Sequence, residues 1–113
     1  DLNRLSSTGV VGMPHYLAPE LAEEGREADI RADIYSLGVT LFEMLTGQRP
    51  YEADNAADTV KKHLQEPVPS VRQFNEEIPE EVDDLVRKCL AKEPRNRFQT
   101  PTELLRAIDE ALE

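Results

Sequence analysis

Residues 32–46 read Ala-Asp-Ile-Tyr-Ser-Leu-Gly-Val-Thr-Leu-Phe-Glu-Met-Leu-Thr, and they are the residues most informative about the architecture. Between its two ends the polar residues are Ser36, Thr40 and Glu43, which fall on one narrow stripe at about 100° per residue. Apolar side chains cover most of the remaining surface. The stretch therefore predicts a helix that is buried on nearly every side and that ends at Gly47.

Helical spacing of apolar residues is also present in four other segments, so the sequence predicts about five helices in all. A short helix is expected over residues 20–24, and longer ones are expected after a cap at Asp54 or Asn55, over residues 79–90, and after residue 100. The residues between them, 25–31, 66–78 and 92–99, are polar or interrupted by proline and are predicted to be loops. No stretch alternates as a strand would. The predicted fold is all-α, without a sheet.

The last helix has the most specific start signal. Residues 100–103 read Thr-Pro-Thr-Glu, which is a capping box with proline in the first turn. In such a box the threonine caps the helix, and the glutamate accepts a hydrogen bond from the amide of the capping residue. The sequence therefore predicts that Glu103 reaches back to the Thr100 amide.

Composition excludes several classes of function. The 113 residues carry a net charge of −10, which argues against a nucleic-acid or anionic membrane surface, since either would need a basic patch. The longest apolar stretch, residues 34–45, is far shorter than the roughly 20 residues that span a bilayer. Cys89 is the only cysteine, so no internal disulfide is possible and a cytoplasmic location is expected.

The two histidines and the cysteine do not form a metal-binding or nucleophilic set. Cys89 follows the apolar pattern of its helix and is predicted to lie in the core. His63 is predicted to lie on the surface of a helix that turns Val60 and Leu64 inward, and His15 is predicted to make a loop contact. We expect no metal or cofactor site in this chain.

Two segments in a fixed order resemble a known family. Residues 12–20 read Gly-Met-Pro-His-Tyr-Leu-Ala-Pro-Glu, and residues 33–38 read Asp-Ile-Tyr-Ser-Leu-Gly. They are similar to the end of the activation segment and the central helix of a eukaryotic-type serine/threonine protein kinase. Residues 46–51, 63–67 and 90–97 resemble later stretches of the same domain, and the second of these looks most like bacterial members.

The resemblance implies an architecture. The chain would be the helical C-terminal part of a kinase C-lobe over residues 1–113, with an activation and substrate-facing loop at 1–16 and helices in 17–113. In that family the glutamate matching Glu20 pairs with the arginine matching Arg97. An arginine fork accepts a carboxylate through two parallel hydrogen bonds.

The resemblance also implies a role for Asp33 in the central helix, and the pattern of that helix implies one for Gly38. The family's aspartate at the position of Asp33 holds the catalytic loop through backbone hydrogen bonds. From the residues alone, Asp33 is equally an acid favoured by the positive end of a helix dipole. Gly38 is expected to permit close packing, because glycine inside a helix otherwise costs about 1 kcal/mol.

The substrate-facing loop implied by the resemblance contains Gly12, Met13, Pro14 and Tyr16. Met13 departs from the family pattern, because serine/threonine kinases usually carry threonine there. That threonine hydroxyl donates a hydrogen bond to the catalytic aspartate, and a thioether has no proton to donate. The departure predicts a lower catalytic efficiency for the parent enzyme and leaves open whether it is active.

Three hydroxyls lie where bacterial members of the family autophosphorylate. The candidate phosphoacceptors are Thr8 first, then Ser6 and Ser7. A phosphate there would add about −1.5 to −2 charges and would order the loop through an arginine.

The family's nucleotide-binding and catalytic motifs lie upstream of the segments matched here. The chain begins with Asp1 rather than methionine, so we expect a fragment of a longer kinase. Asp1-Leu-Asn3 lacks the Phe and Gly of a magnesium-binding Asp-Phe-Gly, and no G-x-G-x-x-G or His-Arg-Asp is present. The chain alone should be inactive, whereas its parent would use ATP and Mg²⁺.

The expected partners are a protein substrate and the remainder of the chain's own kinase domain. Two alternatives stay open. The helices could form a pseudokinase-type interaction module without catalysis, which Met13 favours, or an unrelated helical adaptor.

Overall fold

The computed structural model describes residues 14–22 and 29–113. Four α-helices lie within these residues: α1 (Ile30–Thr46), α2 (Ala56–Gln65), α3 (Glu80–Cys89) and α4 (Pro101–Ala111). Short 3₁₀ turns lie between or before them at Pro14–Tyr16, Pro19–Ala22, Val71–Gln73 and Pro94–Asn96. No strand occurs among the described residues, so the all-α prediction is confirmed. Within the described ranges, no helix is long and apolar enough to cross a membrane.

The short helix predicted over 20–24 is a 3₁₀ turn at Pro19–Ala22, and residues 23 and 24 lie outside the described ranges. The predicted loops at 66–78 and 92–99 are correct in the main. Each holds one 3₁₀ turn, at Val71–Gln73 and Pro94–Asn96.

Helix α1 begins earlier than the sequence predicts. Asp29 caps it, because the Asp29 side chain accepts a hydrogen bond from the Arg31 amide at 2.8 Å. The end is where we expect it: Gly47 adopts φ 76°, and its amide donates to the Glu43 carbonyl at 2.8 Å. A left-handed residue after the last turn is the usual role of glycine at this position.

The other helix starts follow their capping residues. Asn55, rather than Asp54, caps α2 by accepting from the Asp58 amide at 2.8 Å. Thr100 caps α4 by accepting from the Glu103 amide at 3.1 Å. The Glu103 carboxylate accepts from the Gln99 amide at 2.9 Å, one residue earlier than predicted.

The core lies where α1 crosses α3. Gly38 faces Cys89 so closely that a Cβ atom built on Gly38 would lie 2.5 Å from the Cys89 Cβ. The predicted packing role of Gly38 is therefore confirmed. Around this crossing the buried side chains are Ile34, Tyr35, Val39 and Phe42 from α1, Leu85, Val86 and Leu90 from the α3 region, and Leu104 from α4.

One side of α1 remains open. We call this surface the apolar groove; it is lined by Leu41, Met44, Leu45, Val82, Leu85, Val86, Ile108, Ala111 and Leu112. Met44 at its edge is 75 % exposed and Leu112 is 77 % exposed. The apolar pattern of α1 calls for burial on nearly every side, and this face is the part that the described residues leave uncovered.

Candidate functional site

The two described segments of the chain, 14–22 and 29–113, meet at a buried ion pair. Arg97 Nη1 donates to Glu20 Oε2 and Arg97 Nη2 donates to Glu20 Oε1, both at 2.7 Å. The two side chains are 0 % and 3 % exposed. The structure thus brings together two residues that are 77 positions apart in sequence, in the two-pronged geometry that a guanidinium provides.

The remaining donors of Arg97 bind backbone carbonyls. Nε donates to Ala91 at 2.8 Å, Nη1 to Arg31 at 3.0 Å and Nη2 to Lys92 at 3.1 Å. A guanidinium has five N–H donors, and each is used here. One side chain therefore joins the Glu20 turn, the start of α1 and the segment that follows α3.

An aromatic cluster extends from Arg97 into the protein. The Arg97 guanidinium carbon lies 4.8 Å from the centre of the Tyr35 ring. The Tyr35 hydroxyl lies 2.6 Å from His63 Nδ1, and the Tyr51 ring is edge-on to the His63 ring with centroids 4.8 Å apart. Burial raises the pKa of both tyrosines, so they are neutral hydrogen-bonding groups at physiological pH.

The predicted surface position of His63 is wrong, since the residue is 1 % exposed. Thr59 and His63 form the inward face of α2, whereas Val60 and Leu64 are only partly buried. Polar groups are stable in this position because Thr59 donates to the Asn55 carbonyl at 3.0 Å and His63 contacts the Tyr35 hydroxyl.

The segment Pro14–Tyr16 is fixed to the polar stripe of α1. The Tyr16 hydroxyl donates to Glu43 Oε1 at 2.6 Å, and the Tyr16 carbonyl accepts from the Ser36 hydroxyl at 2.7 Å. Thr40, between them on the stripe, donates to the Ser36 carbonyl at 3.2 Å. The stripe therefore binds the described end of the predicted substrate-facing loop.

Sequence reasoning missed Arg49, which lies just after α1. Arg49 Nε donates to Glu43 Oε2 at 3.1 Å, and Nη1 donates to Glu52 Oε1 at 2.9 Å. Glu52 Oε1 is also 3.9 Å from His15 Nε2, which is the loop contact that His15 makes. The neighbouring Tyr16 and Glu52 side chains raise the pKa of Arg49. No local sequence pattern links these residues, so there was no basis in the sequence for predicting that they are close together.

Other candidate residues are placed as follows. Asp33 lies in the first turn of α1 with its side chain exposed to solvent. Gly12 and Met13 of the substrate-facing loop, and the candidate phosphoacceptors Ser6, Ser7 and Thr8, lie outside the described residues.

Cys89 lies in the core, as predicted, with 0 % exposure. Burial raises the pKa of its thiol to about 12, so the reactive thiolate is scarce at neutral pH. Across residues 14–22 and 29–113, no three His, Cys, Asp or Glu side chains are grouped so that they could hold a metal ion.

Residues 2–107, nearly the whole chain, match the family model described as "Protein kinase domain". The chain belongs to the protein kinase family. The match includes both the Glu20 turn and Arg97, so the ion pair lies within the kinase domain.

Curated relatives of this kinase chain are bacterial serine/threonine kinases. A probable serine/threonine-protein kinase of Clostridium acetobutylicum is 42 % identical over 96 residues, which cover 85 % of this chain and 14 % of that protein. The serine/threonine-protein kinase PrkC of Bacillus subtilis is 39 % identical over 87 % of this chain and 15 % of its own length. PknB of Mycolicibacterium smegmatis is 42 % identical over 87 % of this chain and 16 % of its own length.

A solved kinase has a similar fold. The twitchin kinase region from C. elegans matches with a TM-score of 0.70 and 25 % identity, over 88 % of this chain and 17 % of that chain. The resemblance to the serine/threonine kinase family is therefore confirmed, and so is the kinase C-lobe fold. The chain spans only 14–16 % of the length of these three curated relatives.

Proposed function

We propose that this chain is the C-terminal part of a serine/threonine kinase catalytic domain whose complete form transfers phosphate from ATP to protein serine or threonine. In this proposal the chain supplies the substrate-facing loop and the helical support beneath it. The observation that carries it is the family match over residues 2–107, in a chain whose buried Glu20–Arg97 pair lies at the positions the family resemblance implied.

The chain's own residues would support catalysis rather than perform it. Phosphoryl transfer requires a loop over the phosphates, an ion-paired lysine, a catalytic aspartate and magnesium ligands. The sequence contains neither G-x-G-x-x-G nor His-Arg-Asp. ATP and Mg²⁺ would bind to the rest of the domain, and Asp33, exposed at the start of α1, would hold the catalytic loop there.

The remainder of the kinase domain is the partner that we assign to the apolar groove. The groove is lined almost entirely by aliphatic side chains from α1, α3 and α4. Exposed apolar surface of this kind usually marks a contact with another part of a protein. A cytoplasmic location is part of the same proposal, because Cys89 is the only cysteine.

A phosphorylation assay on two forms of the protein tests this function. We expect the full-length protein that contains this segment, supplied with ATP and Mg²⁺, to phosphorylate itself and a generic protein substrate. We expect the 113-residue chain alone to transfer no phosphate. Mass spectrometry of the full-length product should locate phosphate on Thr8, or on Ser6 or Ser7.

Two results would contradict the proposal. Phosphate transfer by the isolated chain would show that the catalytic residues are not confined to the rest of the domain. A folded full-length protein that transfers nothing would favour the alternative suggested by Met13, an interaction module without catalysis.

Met13 offers a test of the substrate-facing loop. We expect Met13→Thr to raise the kinase activity of the full-length protein by at least about tenfold, because a hydrogen bond to a charged catalytic group contributes roughly 1.5–3 kcal/mol. The rate of phosphate incorporation into a protein substrate measures the effect. Leu105→Thr is the control, since Leu105 is 61 % exposed on α4 and does not line the apolar groove. Equal rates for the unmodified protein and Met13→Thr would show that residue 13 does not contact the catalytic group.

A further inference from the structure

Tyr16 is held at both of its ends by one helix. Its carbonyl accepts from Ser36 at 2.7 Å and its hydroxyl donates to Glu43 at 2.6 Å. Ser36 and Glu43 are two turns apart on the same stripe of α1, so they set the direction in which the tyrosine lies. The position of the segment Pro14–Tyr16 therefore depends on where the Glu43 carboxylate points.

Arg49 controls that direction. Glu43 Oε1 accepts from Tyr16 while Glu43 Oε2 accepts from Arg49 Nε at 3.1 Å, so the two bonds orient the carboxylate between them. Arg49 is itself held by Glu52 at 2.9 Å, and the same Glu52 oxygen lies 3.9 Å from His15. The guanidinium thus connects the turn after α1 to two neighbouring residues of the segment.

The ion pairs of Arg49 are more exposed to solvent than contacts in the core. The Arg49 and Glu43 side chains are each 34 % exposed, and Glu52 is 61 % exposed. Partly exposed ion pairs contribute little to the stability of a fold. Their effect should therefore be on the local position of the segment rather than on folding.

We propose that Arg49 is a positioning residue for binding of the protein substrate, acting through Glu43 on Tyr16. The inference rests on the proposed function, in which residues 12–16 face that substrate. Arg49 contacts neither substrate nor nucleotide in this account. It fixes the position of the segment that contacts the substrate.

The forked shape of the side chain matters as well as its charge. Arg49 uses Nε for Glu43 and Nη1 for Glu52, two nitrogens on one rigid plane. Lysine has a single nitrogen on a flexible stem and does not reproduce this geometry. Arg49→Lys should therefore lose most of the effect while keeping the positive charge.

The test is steady-state kinetics of the full-length kinase with a protein substrate and ATP varied separately. We expect Arg49→Met to raise KM for the protein substrate about three- to fivefold, the range of a partly exposed charged pair, and to leave KM for ATP unchanged. The midpoint of thermal unfolding should stay where it is in the unmodified protein. Arg106→Met, at an exposed arginine of α4, is the matched control and should change neither KM.

A double-mutant cycle separates positioning from a general charge effect. If Arg49 acts through Tyr16, Arg49→Met should raise KM no further in a Tyr16→Phe background. An unchanged substrate KM in Arg49→Met would overturn the inference. So would the same fold-change in both backgrounds, or a parallel rise in KM for ATP with a lower unfolding midpoint.

The outcome for the proposed function is read separately. If the unmodified kinase transfers phosphate and Arg49→Met has the same KM for the protein substrate, only the inference about Arg49 is wrong. An unmodified full-length protein that transfers no phosphate would remove both.

Discussion

Replacing Arg97 with lysine is expected to lower the free energy of unfolding by at least about 2 kcal/mol, because lysine keeps the charge but leaves buried hydrogen-bonding groups unpaired at about 1–3 kcal/mol each. Lysine has three N–H donors in place of five and cannot bond both Glu20 oxygens in the same plane. It would leave Glu20 poorly paired where its side chain is 3 % exposed, and at least one of the carbonyls of Ala91, Arg31 and Lys92 without its donor. Urea unfolding followed by circular dichroism measures the loss.

Arg95→Lys is the matched control for this substitution. Arg95 lies two residues before Arg97 in the Pro94–Asn96 turn and is exposed, so the same change should shift stability by less than about 0.5 kcal/mol. A similar small shift for Arg97→Lys would mean that the buried fork does not stabilise the fold.

The second large effect is expected at Gly38. Gly38→Val should destabilise the protein by about 3 kcal/mol or more, at the upper end for overpacked cores. A Cβ atom there would lie 2.5 Å from the Cys89 Cβ and 3.3 Å from the Leu90 Cδ2. The Cβ of Cys89 is attached directly to the backbone of α3, so relief requires the two helices to separate. The midpoint of urea unfolding reports the change, and Leu37→Val, at the exposed neighbouring position, is the control.

The clash can be traced to a single atom by a double-mutant cycle. Gly38→Ala gains about 1 kcal/mol of helix propensity and loses more than that to the contact with Cys89. In a Cys89→Gly background the contacting Cβ is gone, so Gly38→Ala should be much less harmful there. The same loss in both backgrounds would mean that α1 and α3 are not in van der Waals contact at this point.

Local sequence signals were sufficient for most of the helices and for close packing at Gly38, but they did not identify α3 as the partner. The stops and caps at Gly47, Asn55 and Thr100 are short-range patterns, because the atoms that make each bond are at most a few residues apart. Gly38 could be interpreted because glycine inside a strongly apolar helix needs a reason, and close packing is the usual one. The early start of α1 was missed because Asp29 lies in a polar stretch that resembles a loop.

Contacts over long distances along the chain had weaker signals. His63 was assigned to the surface because α2, taken alone, favours Val60 and Leu64 as its buried side. Its burial depends on the hydroxyl of Tyr35 and the ring of Tyr51, and nothing within α2 specifies those partners. A polar residue can be buried only where tertiary structure supplies its hydrogen bonds.

The sequence indicated only one side of the contact between Tyr16 and α1, namely the polar stripe of the helix. The stripe containing Ser36 and Glu43 is evident from helical spacing, and a polar stripe on an apolar helix must face water or a polar partner. Which partner it faces was not evident, and Arg49 had no distinguishing pattern. The Glu20–Arg97 contact was anticipated only through the family resemblance, since its two residues lie 77 positions apart.

The bonds of Arg97 to the Arg31, Ala91 and Lys92 carbonyls bear on how this chain moves. Helix ends usually fray because their last carbonyls or amides face only solvent. The first turn of α1 is instead bonded through the Arg97 guanidinium to residues 91 and 92, which are distant in sequence. Opening of this turn therefore breaks the bonds of Arg97 to the Glu20 turn and to residues 91–92 as well. We expect these three segments to open together, as one cooperative unit.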